Sequence, residues 1–148
     1  MERIASFQVD HNKLVQGMYL SRRDGNVTTF DLRFKKPNTG DLLTNGEMHS
    51  VEHVIATLLR NGRAKDAVIY FGPMGCQTGF YLLFDSKQLS DAEAVELVKE
   101  TFAAGAVFEG QSAAECGNYI NLDVELAKRQ CAVYSEIVRE WTVEKLAY

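Results

Sequence analysis

The chain has 148 residues, 46% of them hydrophobic, which is enough for one domain with its own buried core. Its formal net charge of -4 comes from 16 basic and 20 acidic residues scattered along the chain, so nucleic acid and anionic membranes are poor candidate partners. No apolar run approaches the roughly 18 residues of a membrane span, and no secretory signal is recognised near Met1. We therefore expect a single domain over residues 1–148, located in the cytoplasm.

The first half of the chain predicts a β-hairpin followed by an amphipathic helix. Residues 18–22 and 27–34 are rich in β-branched and aromatic residues and flank an Asp-Gly pair, which is a strong hairpin signal. Between residues 47 and 61 the apolar residues recur at helical spacing, and an Asn-Gly pair provides a suitable helix end.

The second half of the chain predicts two more strands and two more helices. Residues 67–71 and 79–84 have strand composition and are joined by the loop 72–78. Ser90 is a good N-cap for a helix that runs to about residue 104, and residues 122–141 predict a last helix. Because strands and helices mix without regular alternation, the order predicts an α+β fold, an antiparallel sheet packed against helices.

The helix predicted at 47–61 presents a possible metal site. Each helical residue advances by about 100°, so His49, Glu52 and His53 share one face, opposite the apolar stripe. Two imidazoles at i and i+4 suit a divalent metal such as zinc or iron, and a neighbouring carboxylate can move protons for a metal-activated group. His-x-x-Glu-His is also the inverted zinc-peptidase motif. The alternative is two solvated or hydrogen-bonded histidines without a ligand.

The three cysteines are candidates for a third ligand, since an odd, small number favours free thiols in a reducing compartment. Cys116 precedes a glycine, Cys76 lies in the glycine-rich loop 72–78, and Cys131 lies in an apolar helical run typical of a core. The residues alone leave Cys76 and Cys116 equally eligible. For each of them the alternative is a small buried hydrophobic residue.

Several segments together resemble the S-ribosylhomocysteine lyase (LuxS) family over essentially the whole chain. They are 6–11 (SFQVDH), 30–34 (FDLRF) with the Pro-Asn pair at 37–38, 49–53 (HSVEH) and 72–79 (GPMGCQTG), and the last two together are highly specific. A further segment, 115–117 (ECG), is similar to the metal-binding Cys-Gly pair of that family. The resemblance implies that His49, His53 and Cys116 bind the metal and that Glu52 and Cys76 are catalytic.

The family implies cleavage of S-ribosylhomocysteine to homocysteine and 4,5-dihydroxy-2,3-pentanedione, the precursor of the quorum-sensing signal autoinducer-2. The sugar carbonyl must migrate along the chain before β-elimination can expel the thiolate, which requires repeated proton transfers. One divalent metal per subunit would act as a Lewis acid while Glu52 and Cys76 transfer the protons. The resemblance favours ferrous iron as the native metal, with zinc as the alternative, and places the reaction in the methyl cycle.

The resemblance also implies a substrate pocket at a homodimer interface, lined by Ser6, His11 and Arg33. From the residues alone, Arg33 would be a surface strand residue and His11 a hydrogen-bonded loop histidine. The chain departs from the family pattern at 70–72, where Tyr-Phe-Gly replaces Asp-x-Ser, and at Glu115, where glutamine is usual. The departure at 70–72 implies that an acidic partner for the substrate amino group is missing.

Two other functions stay open on the residues. A metallohydrolase of peptides or amides would use His-x-x-Glu-His alone, and its activity would survive Cys76→Ala. A non-catalytic interaction protein stabilised by metal would close the site with a fourth protein ligand.

Overall fold

The computed structural model describes residues 1–110 and 116–148, and at residues 5 and 6 it describes the backbone alone. Four antiparallel strands form one sheet: β1 (Gly17–Asp24), β2 (Val27–Arg33), β3 (Val68–Pro73) and β4 (Gly79–Asp85), in the order β1-β2-β4-β3. The predicted hairpin is β1–β2, and the predicted loop joins β3 to β4. The α+β class with an antiparallel sheet is confirmed.

In the described part of the chain, four helices accompany the sheet: α1 (Ala5–Gln8), α2 (Asn45–Asn61), α3 (Asp91–Gly105) and α4 (Val124–Val138), with short 3-10 turns at Tyr119–Asn121 and Val143–Lys145. Helix α2 begins at a capping box, in which the Thr44 and Glu47 side chains each accept the other residue's backbone N–H. Helix α3 begins where the Ser90 hydroxyl accepts the N–H of Glu93, as predicted. None of the described helices has the length and apolar character needed to cross a membrane.

Helix α4 is shorter than the predicted 122–141. The Asp123 carboxylate accepts the N–H groups of Glu125 and Leu126, which fixes the first helical residue at Val124. At the other end the helix stops at Val138, and the chain then turns back along β1. Residues 139–148 are called the strap below.

The strap covers the free edge and part of one face of β1. The Leu20 N–H donates to the Leu146 carbonyl at 2.8 Å, and the Trp141 indole N–H donates to the Met18 carbonyl at 2.7 Å. Gly17 has φ +154, and a Cβ there would lie 2.2 Å from the Trp141 ring. Gly17 therefore allows the indole to reach the strand.

The hydrophobic core lies between the sheet and helices α2, α3 and α4. On α2 the buried side includes Val51, Val54 and Ile55, the stripe predicted from helical spacing. Phe34 stacks on Tyr134 of α4, with ring centroids 4.2 Å apart and ring planes within 3° of parallel. Because this stripe packs into the core, the opposite side of α2 faces outward.

Candidate active site

The outward side of α2 carries a cluster of three potential metal ligands. His49 and His53 lie one turn apart, with ring centroids 4.9 Å apart. Cys116 joins them from the segment before the 3-10 turn, and the ligand atoms of the three residues all lie within 4.8 Å of one another. All three residues are half-buried. We call His49, His53 and Cys116 the metal cluster.

Neighbouring groups orient the metal cluster. Nδ1 of His49 lies 2.8 Å from Asn121 Oδ1, so a proton on Nδ1 directs the lone pair of Nε2 toward Cys116, whose Sγ is 3.2 Å away. The Asn118 backbone N–H donates to Cys116 Sγ at 3.3 Å. No feature of the sequence singled out Asn121, which the tertiary fold brings to His49.

The metal cluster fits a zinc or ferrous ion by its chemistry and size. Such an ion binds histidine nitrogen at about 2.0 Å and thiolate sulfur at about 2.3 Å, so tetrahedral ligands lie roughly 3.5 Å apart. Within residues 1–110 and 116–148 no further His, Cys, Asp or Glu joins the cluster. These three described ligands by themselves would leave one tetrahedral position open, as in catalytic sites. Glu52 lies on the same helix directly before His53 and is half-buried.

Cys76 lies at the exposed tip of the β3–β4 loop. The Met74 N–H donates to the Gly79 carbonyl at 2.9 Å, and the Gln77 N–H donates to the Met74 carbonyl at 3.0 Å. Gln77 has φ +64, a conformation that costs free energy for a residue with a side chain, and its amide donates to the Leu43 carbonyl at 3.0 Å. These bonds fix the loop and with it the position of the thiol.

Arg33 places a cation beside this thiol. Its Nε and Nη2 donate to the two oxygens of Asp31 at 3.1 and 2.6 Å, and its Nη1 donates to Thr78 Oγ1 at 2.6 Å. The same Nη1 lies 3.9 Å from Cys76 Sγ, which is 3.0 Å from Thr78 Oγ1. Burial by itself would lower the pKa of Arg33, but the hydrogen bond and charge of Asp31 outweigh it and raise that pKa.

The interpretation of Arg33 as a surface strand residue is wrong, because the residue is only 3% exposed. Arg33 and Asp31 are two residues apart on β2 and therefore point to the same face, where they form a bidentate ion pair. In the sequence, this Asp-x-Arg spacing within a predicted strand is the pattern that could have identified Asp31 as a partner of Arg33. Thr78, which holds both Arg33 and Cys76, carried no such signal.

Two cavities meet at Cys76 and Arg33. One, of about 260 Å³, is lined by Phe7, Val9, His11, Asp31, Arg33, Met74, Gly75, Cys76, Tyr81 and Tyr148. The other, of about 320 Å³, is lined by His11, Arg33, Pro37, Asn38, Gly40, Leu42, Cys76 and Thr78. We call them together the cysteine pocket. His11 and Arg33, two of the three residues expected to bind substrate, therefore lie beside Cys76.

The third expected residue, Ser6, lies in α1 directly before Phe7, and its side chain is outside the described part of the chain. Glu115 also lies outside the described residues. Tyr70, at the other departure from the family pattern, is half-exposed and lines a shallow cavity on the sheet with Tyr81, outside the described lining of the cysteine pocket.

The metal cluster and the cysteine pocket have no residue in common within the described part of the chain. Neither cavity of the cysteine pocket includes Glu52 or a member of the metal cluster in its described lining. A larger cavity of about 590 Å³ lies between residues 8–15 and β1 and shares only Val9 and Tyr148 with the cysteine pocket. The described lining of this larger cavity therefore contains neither Cys76 and Arg33 nor a residue of the metal cluster.

An α+β domain with a His-His-Cys cluster and a loop thiol beside a buried arginine defines the class of small candidate metalloenzymes. Comparison with known proteins narrows this class to one family. The model of the S-ribosylhomocysteinase (LuxS) family matches residues 4–145. The chain belongs to this family, which confirms the predicted family and the predicted class of carbon–sulfur lyase.

Relatives match the chain over its whole length. The S-ribosylhomocysteine lyase of Desulfotalea psychrophila is 46% identical over 100% of this chain and 99% of its own. The enzyme of the same name from Finegoldia magna is 42% identical, again over 100% and 99%. That of Borreliella burgdorferi strain B31 is 41% identical with the same coverage.

Proposed function

We propose that the protein is a metal-dependent S-ribosylhomocysteine lyase that releases homocysteine and 4,5-dihydroxy-2,3-pentanedione. The observation that carries the proposal is that a chain of this family holds Cys76 beside a buried Arg33 and also assembles a His-His-Cys cluster. The dione product would be available as the autoinducer-2 precursor, and homocysteine would return to the methyl cycle.

Cys76 and Glu52 are proposed to move the protons. Carbonyl migration takes a proton from one sugar carbon and returns one to the next, and the elimination removes a further proton next to the carbonyl before the thiolate leaves and is protonated. Cys76 Sγ would act in this series of proton transfers from its place beside the Arg33 cation and the Thr78 hydroxyl. The Glu52 carboxylate would act from the side of α2. A divalent metal, when bound, supplies Lewis acidity toward the sugar oxygens.

Ser6, His11 and Arg33 are proposed to bind the substrate. Nδ1 of His11 lies 2.9 Å from the Val9 carbonyl, which can only accept a hydrogen bond, so Nδ1 carries the proton. Nε2 of His11 is then left as an acceptor for a substrate hydroxyl in the cysteine pocket. Arg33 contributes a fixed cation, and Ser6 is included because its segment matches the family pattern.

The active sites are proposed to form across a homodimer. The described lining of the cysteine pocket contains neither Glu52 nor a member of the metal cluster, which supports this, because a single substrate must reach both Cys76 and the metal. We propose that one subunit supplies the metal cluster with Glu52 and its partner supplies the cysteine pocket. Two equal sites would result from the two-fold symmetry of such a dimer.

Ferrous iron is the proposed native metal, with zinc as a functional substitute, because two imidazoles and a thiolate suit both ions.

The proposed location is the cytoplasm, which the three free cysteines support.

The test is a thiol-release assay. Protein purified without oxygen and loaded with Fe(II) is incubated with S-ribosylhomocysteine, and free thiol is titrated over time. We expect one homocysteine for each substrate consumed, and about equal amounts of the dione by trapping with a diamine. Metal-replete protein that releases no thiol would refute the proposed function.

A further inference from the structure

Tyr148 reaches the cysteine pocket from the strap. The backbone bond between Leu20 and Leu146 and the indole bond of Trp141 anchor the strap to β1. From there the Tyr148 hydroxyl donates to Asp31 Oδ2 at 2.6 Å. The Tyr148 ring is also part of the described lining of the cysteine pocket. A residue far from Cys76 in sequence thus lies at the candidate site.

Asp31 connects Tyr148 to the thiol. Its side chain is 1% exposed, and its two oxygens accept two bonds from Arg33 and one from Tyr148. A buried carboxylate depends on such bonds for its position and its charge, because it has lost most of its contact with solvent. Arg33 in turn reaches Thr78 and Cys76. The hydrogen bonds therefore run from Tyr148 through Asp31 and Arg33 to the Cys76 loop.

We propose that Tyr148 is a positioning residue for the lyase reaction, whose hydroxyl holds Asp31 so that the Arg33 guanidinium stays beside the Cys76 sulfur. This inference rests on the proposed function of Cys76. It assigns to the strap, of which the predicted helix covered only residues 139–141, a part in the geometry of the cysteine pocket.

The environment of the Tyr148 ring fits this role. The ring stacks on Tyr19, with centroids 5.1 Å apart and planes within 14° of parallel, and this contact helps to orient the hydroxyl of a residue that is otherwise 47% exposed. Burial, followed by the charge of Asp31, raises the pKa of Tyr148. The phenol therefore remains a neutral donor to Asp31 throughout the neutral range.

The experiment compares Tyr148→Phe with Tyr19→Phe. The first variant keeps the ring and its stacking but removes the bond to Asp31. The second removes a hydroxyl from the same pair of rings, but one that donates to the Val15 carbonyl instead. We expect kcat/KM to fall about 10-fold in Tyr148→Phe, the size of effect seen for hydrogen bonds to charged groups, and to change less than about twofold in Tyr19→Phe.

A second readout needs neither substrate nor activity. The Arg33 Nε–H signal in 15N NMR spectra, assigned with an Arg33→Lys variant, reports the bond to Asp31. We expect this signal to shift and to exchange faster with solvent in Tyr148→Phe, and the midpoint of urea unfolding to fall modestly, because the buried Asp31 carboxylate loses one of its donors. In Tyr19→Phe the signal should keep its wild-type position.

The two readouts separate the two proposals. An unchanged Arg33 signal in Tyr148→Phe overturns the positioning role whether or not the wild type is a lyase. An altered signal with wild-type kcat/KM also overturns it, since the reaction would not depend on the bond. Absence of thiol release by the wild type counts against the proposed function and leaves the Arg33 measurement valid.

Discussion

The metal cluster and the cysteine pocket are built in opposite ways. Two of the three metal-cluster residues are four positions apart on one helix, so the local turn of α2 brings them together, and they remain half-buried. The cysteine pocket joins β2, the β3–β4 loop and the strap around an ion pair whose side chains are at most 4% exposed. The first region depends on local helix geometry, whereas the second depends on strand register and on satisfied buried charge.

The largest expected effect is a loss of lyase activity, which should be accompanied by loss of metal in one region and not in the other. Cys76→Ala should lower lyase activity by about 10³-fold, because the proposed proton-transfer group is lost, and should bind metal as the wild type does. His53→Ala should lose activity together with metal, measured as metal ions per subunit by mass spectrometry.

Two results would break this separation. Hydrolysis of peptides or amides that survives Cys76→Ala would favour a metallohydrolase. Loss of metal from Cys76→Ala would show that Cys76, and not only the metal cluster, takes part in holding the ion.

The next effect concerns stability. Asp31→Asn removes one charge of a buried pair and leaves the Arg33 cation uncompensated, so the free energy of unfolding should fall by about 3 kcal/mol. In metal-free protein, His53→Ala at the half-buried metal cluster should cost less than about 1 kcal/mol. Urea unfolding of both variants measures the difference, and equal losses would remove the contrast drawn above.

The two regions are also expected to work in trans. Cys76→Ala and His53→Ala homodimers, dissociated and re-mixed in equal amounts, should recover about a quarter of wild-type activity, because half of the dimers then hold one intact site. Each variant re-mixed with itself is the control. No recovery in mixtures that do form heterodimers would place both halves of the site in one subunit.

The smallest effect uses Cys131 as a reference thiol that belongs to neither region. Burial raises the pKa of Cys131 from 9.0 to about 12. The folded state therefore keeps the neutral thiol, and its stabilisation is complete below pH 9 and is lost as the pH rises toward 12. Between pH 9 and 10 the wild type should lose about 1 kcal/mol more unfolding free energy than Cys131→Ala.

Urea unfolding of the wild type and Cys131→Ala at both pH values provides the comparison. Tyrosine ionisation affects both proteins alike and cancels in the difference. Parallel pH profiles for the two proteins would contradict the expected burial of this thiol.

Much of the fold could be predicted because its signals are local. The hairpin followed from its Asp-Gly turn, and the core stripe of α2 followed from its 3.6-residue spacing. The end of α4 could not be predicted, because the strap leaves the helix after Val138 to reach β1, and that contact lies far away in sequence.

The sequence by itself determined that His49, Glu52 and His53 share one face of a helix and that a glycine-rich loop carries Cys76. Only the tertiary structure brought Cys116, rather than Cys76, to the two histidines, a choice that the residues alone left open. It also buried Arg33 beside the loop, because β2 pairs with β4 so that Arg33 lies opposite Gly79.

Gly79 shows why this strand pairing could not be predicted from the sequence. A Cβ at that position would lie 2.2 Å from the Leu32 carbonyl oxygen, so the close approach of the two strands requires glycine there. Helical periodicity is a property of neighbouring residues and can be read from a single sequence. Strand register and buried charge pairs arise from residues far apart in the chain, and they are decided only when the whole core packs.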